Sequence, residues 1–168
     1  MRVTMALQLV LGIMSSAVFM TVALVFPRWY MSIFSKDPQV IELGIGYLKY
    51  LGWGFGMHAI SYAYIVSLRS IRDSLYPMYV SAIALIANTV LNYGLIFGNF
   101  GLPQLGVEGA AIATTISRFI EAGFMIYSVY FGSRFVLRAK LEDFRKIEAS
   151  FLSRYFKIAL PVIFNEGL

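Results

Sequence analysis

Between Arg2 and Arg28 the chain runs for twenty-five residues, VTMALQLVLGIMSSAVFMTVALVFP, without a charge. As an α-helix this stretch is about 37 Å long, enough to cross a hydrocarbon core of roughly 30 Å with some tilt. A cleaved leader would have a shorter apolar region followed by an A-x-A-like site, and the sequence shows neither. The segment reads as a membrane span. That constrains everything around it, because backbone inside hydrocarbon must satisfy its own hydrogen bonds.

Three further spans follow. One covers about 45–68, with the uncharged centre YLGWGFGMHAISYAYIVSL at 50–68. Ser74 to Val107 is again free of charge, but too long for one helix, and the turn chemistry of GNFGLPQLG at 98–106 divides it. This leaves a helix at about 77–97, with Pro77 tolerated in its first turn, and another at 107–132. Residues 155–168 open a fifth apolar helix of about 21 Å, too short to cross. Charged residues make up only 14% of the chain and hydrophobic ones 59%, against about 25% charged in soluble domains. The expected fold class is an all-α integral membrane protein, a polytopic helix bundle with four spans in 1–133.

The net charge of +5 does not point to nucleic acid, because most of the excess lies within 134–157. By the positive-inside rule the N-terminus and the 134–157 loop are cytoplasmic, and the protein sits in the plasma membrane among anionic lipids. Leu141, Phe144, Ile147, Phe151, Leu152 and Tyr155 fall at helical spacing between charges. Residues 134–154 thus read as a basic amphipathic linker lying on the inner leaflet. With no Cys and a single His, the chain has no thiolate metal site, triad or catalytic constellation, and an enzyme is not expected.

Polar side chains are costly in hydrocarbon, so the exceptions inside the spans are informative. Asn88 and Asn92 are four apart on one face of the third span, and Ser81 and Ala84 continue the stripe. Asn88 lies roughly 17 Å past Pro77, near the midplane. The pair suits either a cavity wall that meets a cation or substrate, or an interhelical hydrogen-bond pair. Arg118 and Glu121, three apart on the fourth span, are placed to pair with each other as a structural clamp. Trp53 and Tyr62 suit a cavity for aromatic cations or a lipid-facing belt. Gly52 with Gly56, Gly106 with Ala110 and Thr114, and Gly109 with Ala113 and Ser117 are spaced for close helix contacts.

The stretch NTVLNYGLIFGNFGLPQLGVEGAAIATTISR, 88–118, is more specific than any periodicity. It resembles the multidrug and toxic compound extrusion family of secondary transporters, with an Asn-rich helix end, a Gly/Pro turn and the next helix in the family's order. FSKDPQVIELGIGYLKYLG, LRSIRDSLYPM and IALPVIFNEGL resemble other turns of that family. The resemblance implies helices three to six of a twelve-helix, two-lobed transporter, with 155–168 opening the first helix of the second lobe. On that map the remaining helices are missing, and the chain is a fragment or truncated reading frame that moves nothing alone.

What the resemblance implies for function is efflux of cationic amphipathic compounds in exchange for Na+ or H+, with no further cofactor. Asn88 matches an Asn of the family's N-lobe cation site, Thr114 matches its Thr, and Asn92 stands where the family has an Asp. An amide has no proton to exchange, which argues against proton coupling there and leaves Na+ coordination by carbonyl oxygens open. Glu166 matches an acidic residue near the start of the seventh helix and is the implied coupling carboxylate of the second lobe. Its own position agrees, about 13 Å beyond Lys157 in an apolar run kinked at Pro161. Asn88, Asn92, Tyr62 and Trp53 are the candidates for the substrate cavity. A flippase for lipid-linked precursors is the second reading, and a non-transporting membrane fragment the third.

Overall fold

The computed structural model describes residues 2–132 and Lys157. Among the described residues there are five α-helices and no strand: α1 (Arg2–Val25), α2 (Pro27–Phe34), α3 (Pro38–Ser70), α4 (Leu75–Phe97) and α5 (Gly106–Tyr130). The amphipathic linker expected at 134–154, the helix start at 155–168 and Glu166 lie outside them.

Each helix boundary has a local cause. Pro27 occupies the first turn of α2, where its missing N–H costs nothing, so the apolar run breaks at Phe26 and not at Arg28. Asp37 caps α3 by accepting from the Gln39 amide at 2.9 Å, with Pro38 at the first helical position. This starts α3 seven residues earlier than the hydropathy pattern predicts, because capping outweighs the polar composition of 38–44. At the other end Arg72 has φ 63°, the Arg72 amide donates to the Arg69 carbonyl and the Asp73 amide to the Leu68 carbonyl. That is a Schellman closure with an arginine in the left-handed position usually taken by glycine. Gly98, at φ 75°, ends α4, and a 3₁₀ turn at Asn99–Gly101 leads toward α5.

Three of the helices, at Val3–Val25, Leu75–Phe97 and Gly106–Tyr130, are long and apolar enough to cross a membrane. α3 has the length, with 33 residues, but glycines, tyrosines and His58 dilute its apolar content. The expected span at 45–68 is thus the inner part of a longer helix. α2 was not expected as a separate element.

α1 lies beside α3, α3 beside α5, and α5 beside α4, so the four long helices form a row. α1 is antiparallel to α3 and α4 to α5, while α3 and α5 run parallel. Met5 and Leu9 of α1, Ala63, Tyr64 and Leu68 of α3, Val80 of α4, and Met125 and Val129 of α5 form one buried cluster. All of them lie near the end where α1 and α4 begin and α3 and α5 finish, so the row is pinned there. Outward-facing Met14, Val18 and Ile86 are exposed, as suits apolar side chains that face lipid.

The small residues act selectively. A Cβ on Gly109 would stand 2.5 Å from the Leu95 carbonyl oxygen, so α4 and α5 touch backbone to backbone there. Gly52 faces Leu24 of α1, with a Cβ there 3.0 Å from its side chain. Gly56 and Gly106, expected to mark contacts, have nothing near their Cβ positions, because Gly56 points off the contact face and Gly106, at φ 56°, belongs to the turn. Gly54, which the pattern did not single out, packs on Thr115, whose hydroxyl donates to the Tyr50 carbonyl at 2.9 Å. The pairing i, i+4 identifies a face, but it does not say which member of the pair meets a partner.

Candidate functional site

The seam between α4 and α5 carries polar side chains in two groups. In the first, Asn92 Nδ2 donates to Asn88 Oδ1 at 2.9 Å, and Asn88 Nδ2 reaches Thr114 Oγ1 at 3.4 Å. The Thr114 hydroxyl donates to the Ala110 carbonyl at 2.9 Å. In the second, Ser81 Oγ donates to Glu121 Oε1 at 2.8 Å and Arg118 Nη1 to Glu121 Oε2 at 2.9 Å. Ser81 and Asn88 are seven apart on α4, and Thr114 and Glu121 seven apart on α5. Two turns of helix separate the members of each pair, so an antiparallel docking that joins one pair joins the other.

A cavity of about 440 Å³ connects the groups, lined by Ser81, Ala84, Asn88, Thr114, Arg118 and Glu121 among others. Asn92 Oδ1 is buried and has no hydrogen-bond partner. An unsatisfied buried acceptor costs free energy of about 1–3 kcal/mol unless something else meets it. With its lone pairs free, and with the remaining lone-pair capacity of Asn88 Oδ1 and Thr114 Oγ1, the first group offers only neutral oxygens. Such a donor set suits a hard monovalent cation such as Na+, which takes carbonyl and hydroxyl oxygens. Among the described residues no cluster of His, Asp and Glu is arranged to hold a transition metal.

The Arg118–Glu121 pair is asymmetric in exposure. The Glu121 side chain is 4% exposed and that of Arg118 39%, so the carboxylate lies at the floor and the guanidinium toward the mouth. Ser81 makes the carboxylate part of the α4–α5 interface as well as of its own helix.

The aromatic candidates lie elsewhere. Tyr62 lines a second, larger groove of about 930 Å³ between α1 and α3, together with Gln8, Ser16, Phe19, Phe55 and His58. His58 and Tyr62 are ring neighbours at 6.3 Å. Trp53 is exposed and lines neither cavity. The structure therefore brings together Asn88, Asn92 and Thr114, sets Arg118 and Glu121 below them, and separates Tyr62 and Trp53 from both. Sequence spacing missed the Ser81–Glu121 tie, although the matching seven-residue intervals on the two helices contained the signal.

The MatE family model matches residues 1–94. A probable multidrug resistance protein NorM of Thermotoga maritima is 39% identical over 95 residues, covering 56% of this chain and 20% of that protein. Another, of Photorhabdus laumondii, is 33% identical over 140 residues, covering 83% of this chain and 30% of its own length. Multidrug resistance protein MdtK of Klebsiella pneumoniae is 30% identical over 144 residues, covering 78% of this chain and 29% of its own. The chain thus spans less than a third of the length of these relatives. No solved structure matches it. The match over more than half of the chain, on a bundle of apolar helices with a polar seam, identifies an integral membrane protein that belongs to the MatE family.

Proposed function

We propose that this chain is part of a multidrug efflux antiporter, which expels cationic amphipathic compounds across the plasma membrane in exchange for a coupling cation. The observation that carries the reading is the orphaned Asn92 Oδ1, buried on an amide that donates to Asn88 Oδ1, with Asn88 in turn tied to Thr114 Oγ1. A cation held there would satisfy the free acceptor, and an all-neutral oxygen set favours Na+ over H+. The names of the similar proteins, multidrug resistance proteins, support the substrate class. Alternating access needs two repeats around a midplane site, so the chain acts with further helices of the transporter. The basic loop at 134–157 and the N-terminus face the cytoplasm.

The test is dye efflux by a transporter carrying this segment, in cells without other pumps. Asn92→Leu removes the free acceptor and should lower Na+-driven ethidium efflux by about tenfold at normal membrane abundance. Unchanged efflux would remove the amide group from coupling. Glu166→Gln is expected to lower the same readout, as the second coupling residue.

A further inference from the structure

We infer that Glu121 is a second cation-binding site, distinct from the amide group, and that Arg118 is its tethered resting occupant. The ligand class is a small organic cation that exchanges with the guanidinium.

The inference starts from the position of the pair. Glu121 is fifteen residues into the 25-residue α5 and Arg118 twelve, so both are deep in a membrane span, where ionisable side chains face cavities and mark ligand paths. A pair serving only α5 would need no partner from another helix. Here Ser81 of α4 holds Oε1 from across the seam while Arg118 holds Oε2. The carboxylate is thereby fixed in orientation with part of its acceptor capacity unused.

Exposure then decides which partner can leave. Glu121, almost fully buried, cannot reach water, and stripping its counter-charge would leave a buried anion uncompensated. Arg118, with two-fifths of its side chain exposed, can swing toward the mouth and be rehydrated. Departure of the guanidinium is therefore coupled to arrival of another cation, and the site stays neutral throughout. The adjoining cavity of about 440 Å³, walled by Ala84 and Leu85, is in the range that accepts a small organic molecule. Such an exchange binds cations without holding a permanent net charge, and it ties occupancy of the cavity to a side chain on α5.

The experiment uses a purified transporter carrying this segment in lipid nanodiscs, with ethidium as the probe and fluorescence anisotropy as the readout. Arg118→Ala removes the internal competitor and should tighten ethidium binding by about tenfold. Guanidinium ion should compete with the dye in that variant, standing in for the lost side chain. Arg118→Ala combined with Glu121→Gln should abolish the gain. Circular dichroism checks that the variants fold. Should Arg118→Ala not fold, Arg118→Lys keeps a charge but loses the planar fork, and it must give a smaller gain in the same direction. Unchanged or weaker binding in the Arg118 variants, or a gain that survives Glu121→Gln, overturns the inference. Competition by Na+ and not by guanidinium overturns the organic ligand class. Dye efflux in Asn92→Leu tests the amide group and dye binding in Arg118→Ala tests Glu121, so the two readings fail separately.

Discussion

The α1–α3 and α4–α5 seams are both antiparallel helix contacts, yet they are built from different chemistry. Between α1 and α3 the contact is made by small residues and aliphatics, Gly12 beside Ala59 and Leu24 over Gly52, with a polar tie from the Ser67 hydroxyl to Gln8 Oε1 at 3.0 Å. Between α4 and α5 the backbones touch at Gly109, and side-chain hydrogen bonds cross the seam from Ser81 to Glu121, from Asn88 to Thr114 and from the Tyr76 hydroxyl to the Phe124 carbonyl. In lipid there is no hydrophobic drive to bring helices together, so close packing and polar ties do that work. The first seam uses packing and leaves a broad groove. The second adds polar groups beyond what association needs, and one buried acceptor is left without a partner. That excess polarity is the feature on which the proposed cation site rests.

Substitutions can break this contrast in order of expected effect. Gly109→Val drives a side chain into the Leu95 backbone, which cannot move aside, and should destabilise the bundle by about 1–3 kcal/mol. A thermal-shift measurement in detergent reads it, and an unchanged midpoint would mean the two backbones do not touch at that point. Asn88→Leu removes both its bond to Thr114 and the acceptor for Asn92, a loss of roughly 0.6–1.7 kcal/mol if the seam resembles other interhelical pairs. A loss well above that range would indicate a cooperative network, and none at all would reduce the amides to bystanders. Gly12→Ala is the control on the other seam. Its Cβ would sit 3.5 Å from that of Ala59, an ordinary contact, so better helix propensity should win by about 0.5–1 kcal/mol. Destabilisation there would show that the α1–α3 seam is as tight as its counterpart.

Much of this was legible in the residues. Uncharged runs placed the apolar helices, and the four-residue spacing of Asn88 and Asn92 put them on one face. Arg118 and Glu121 three apart announced an ion pair, and the structure places them 2.9 Å apart. What spacing did not reveal was the register between helices, since that depends on partners far along the chain. Ser81 and Glu121 are forty residues apart, and the matching seven-residue intervals point to their pairing only once α4 and α5 are docked antiparallel. Tyr62 and Trp53 were grouped with the amides because aromatics suit a cation cavity. The row-like packing puts α3 between α1 and α5, so its aromatic face looks away from α4. The early start of α3 was hidden for another reason: hydropathy registers solvent preference, whereas Asp37 and Pro38 act through backbone geometry.

The length of α3 bears on the bilayer itself. Its charge-free interval between Lys49 and Arg69 measures about 30 Å, the thickness of a typical hydrocarbon core, whereas the whole helix is about 50 Å long. The surplus is the stretch from Pro38 to Leu48, together with α2, where Arg28 pairs with Glu42 and Trp29, Ile33 and Phe34 remain exposed. Such a collar of aromatics and paired charges suits the headgroup layer. Hydrophobic mismatch in a thicker membrane would bury that ion pair, and in a thinner one would strand the aromatics in water. Lipid thickness thereby becomes a variable that acts on the tilt of the row through this collar.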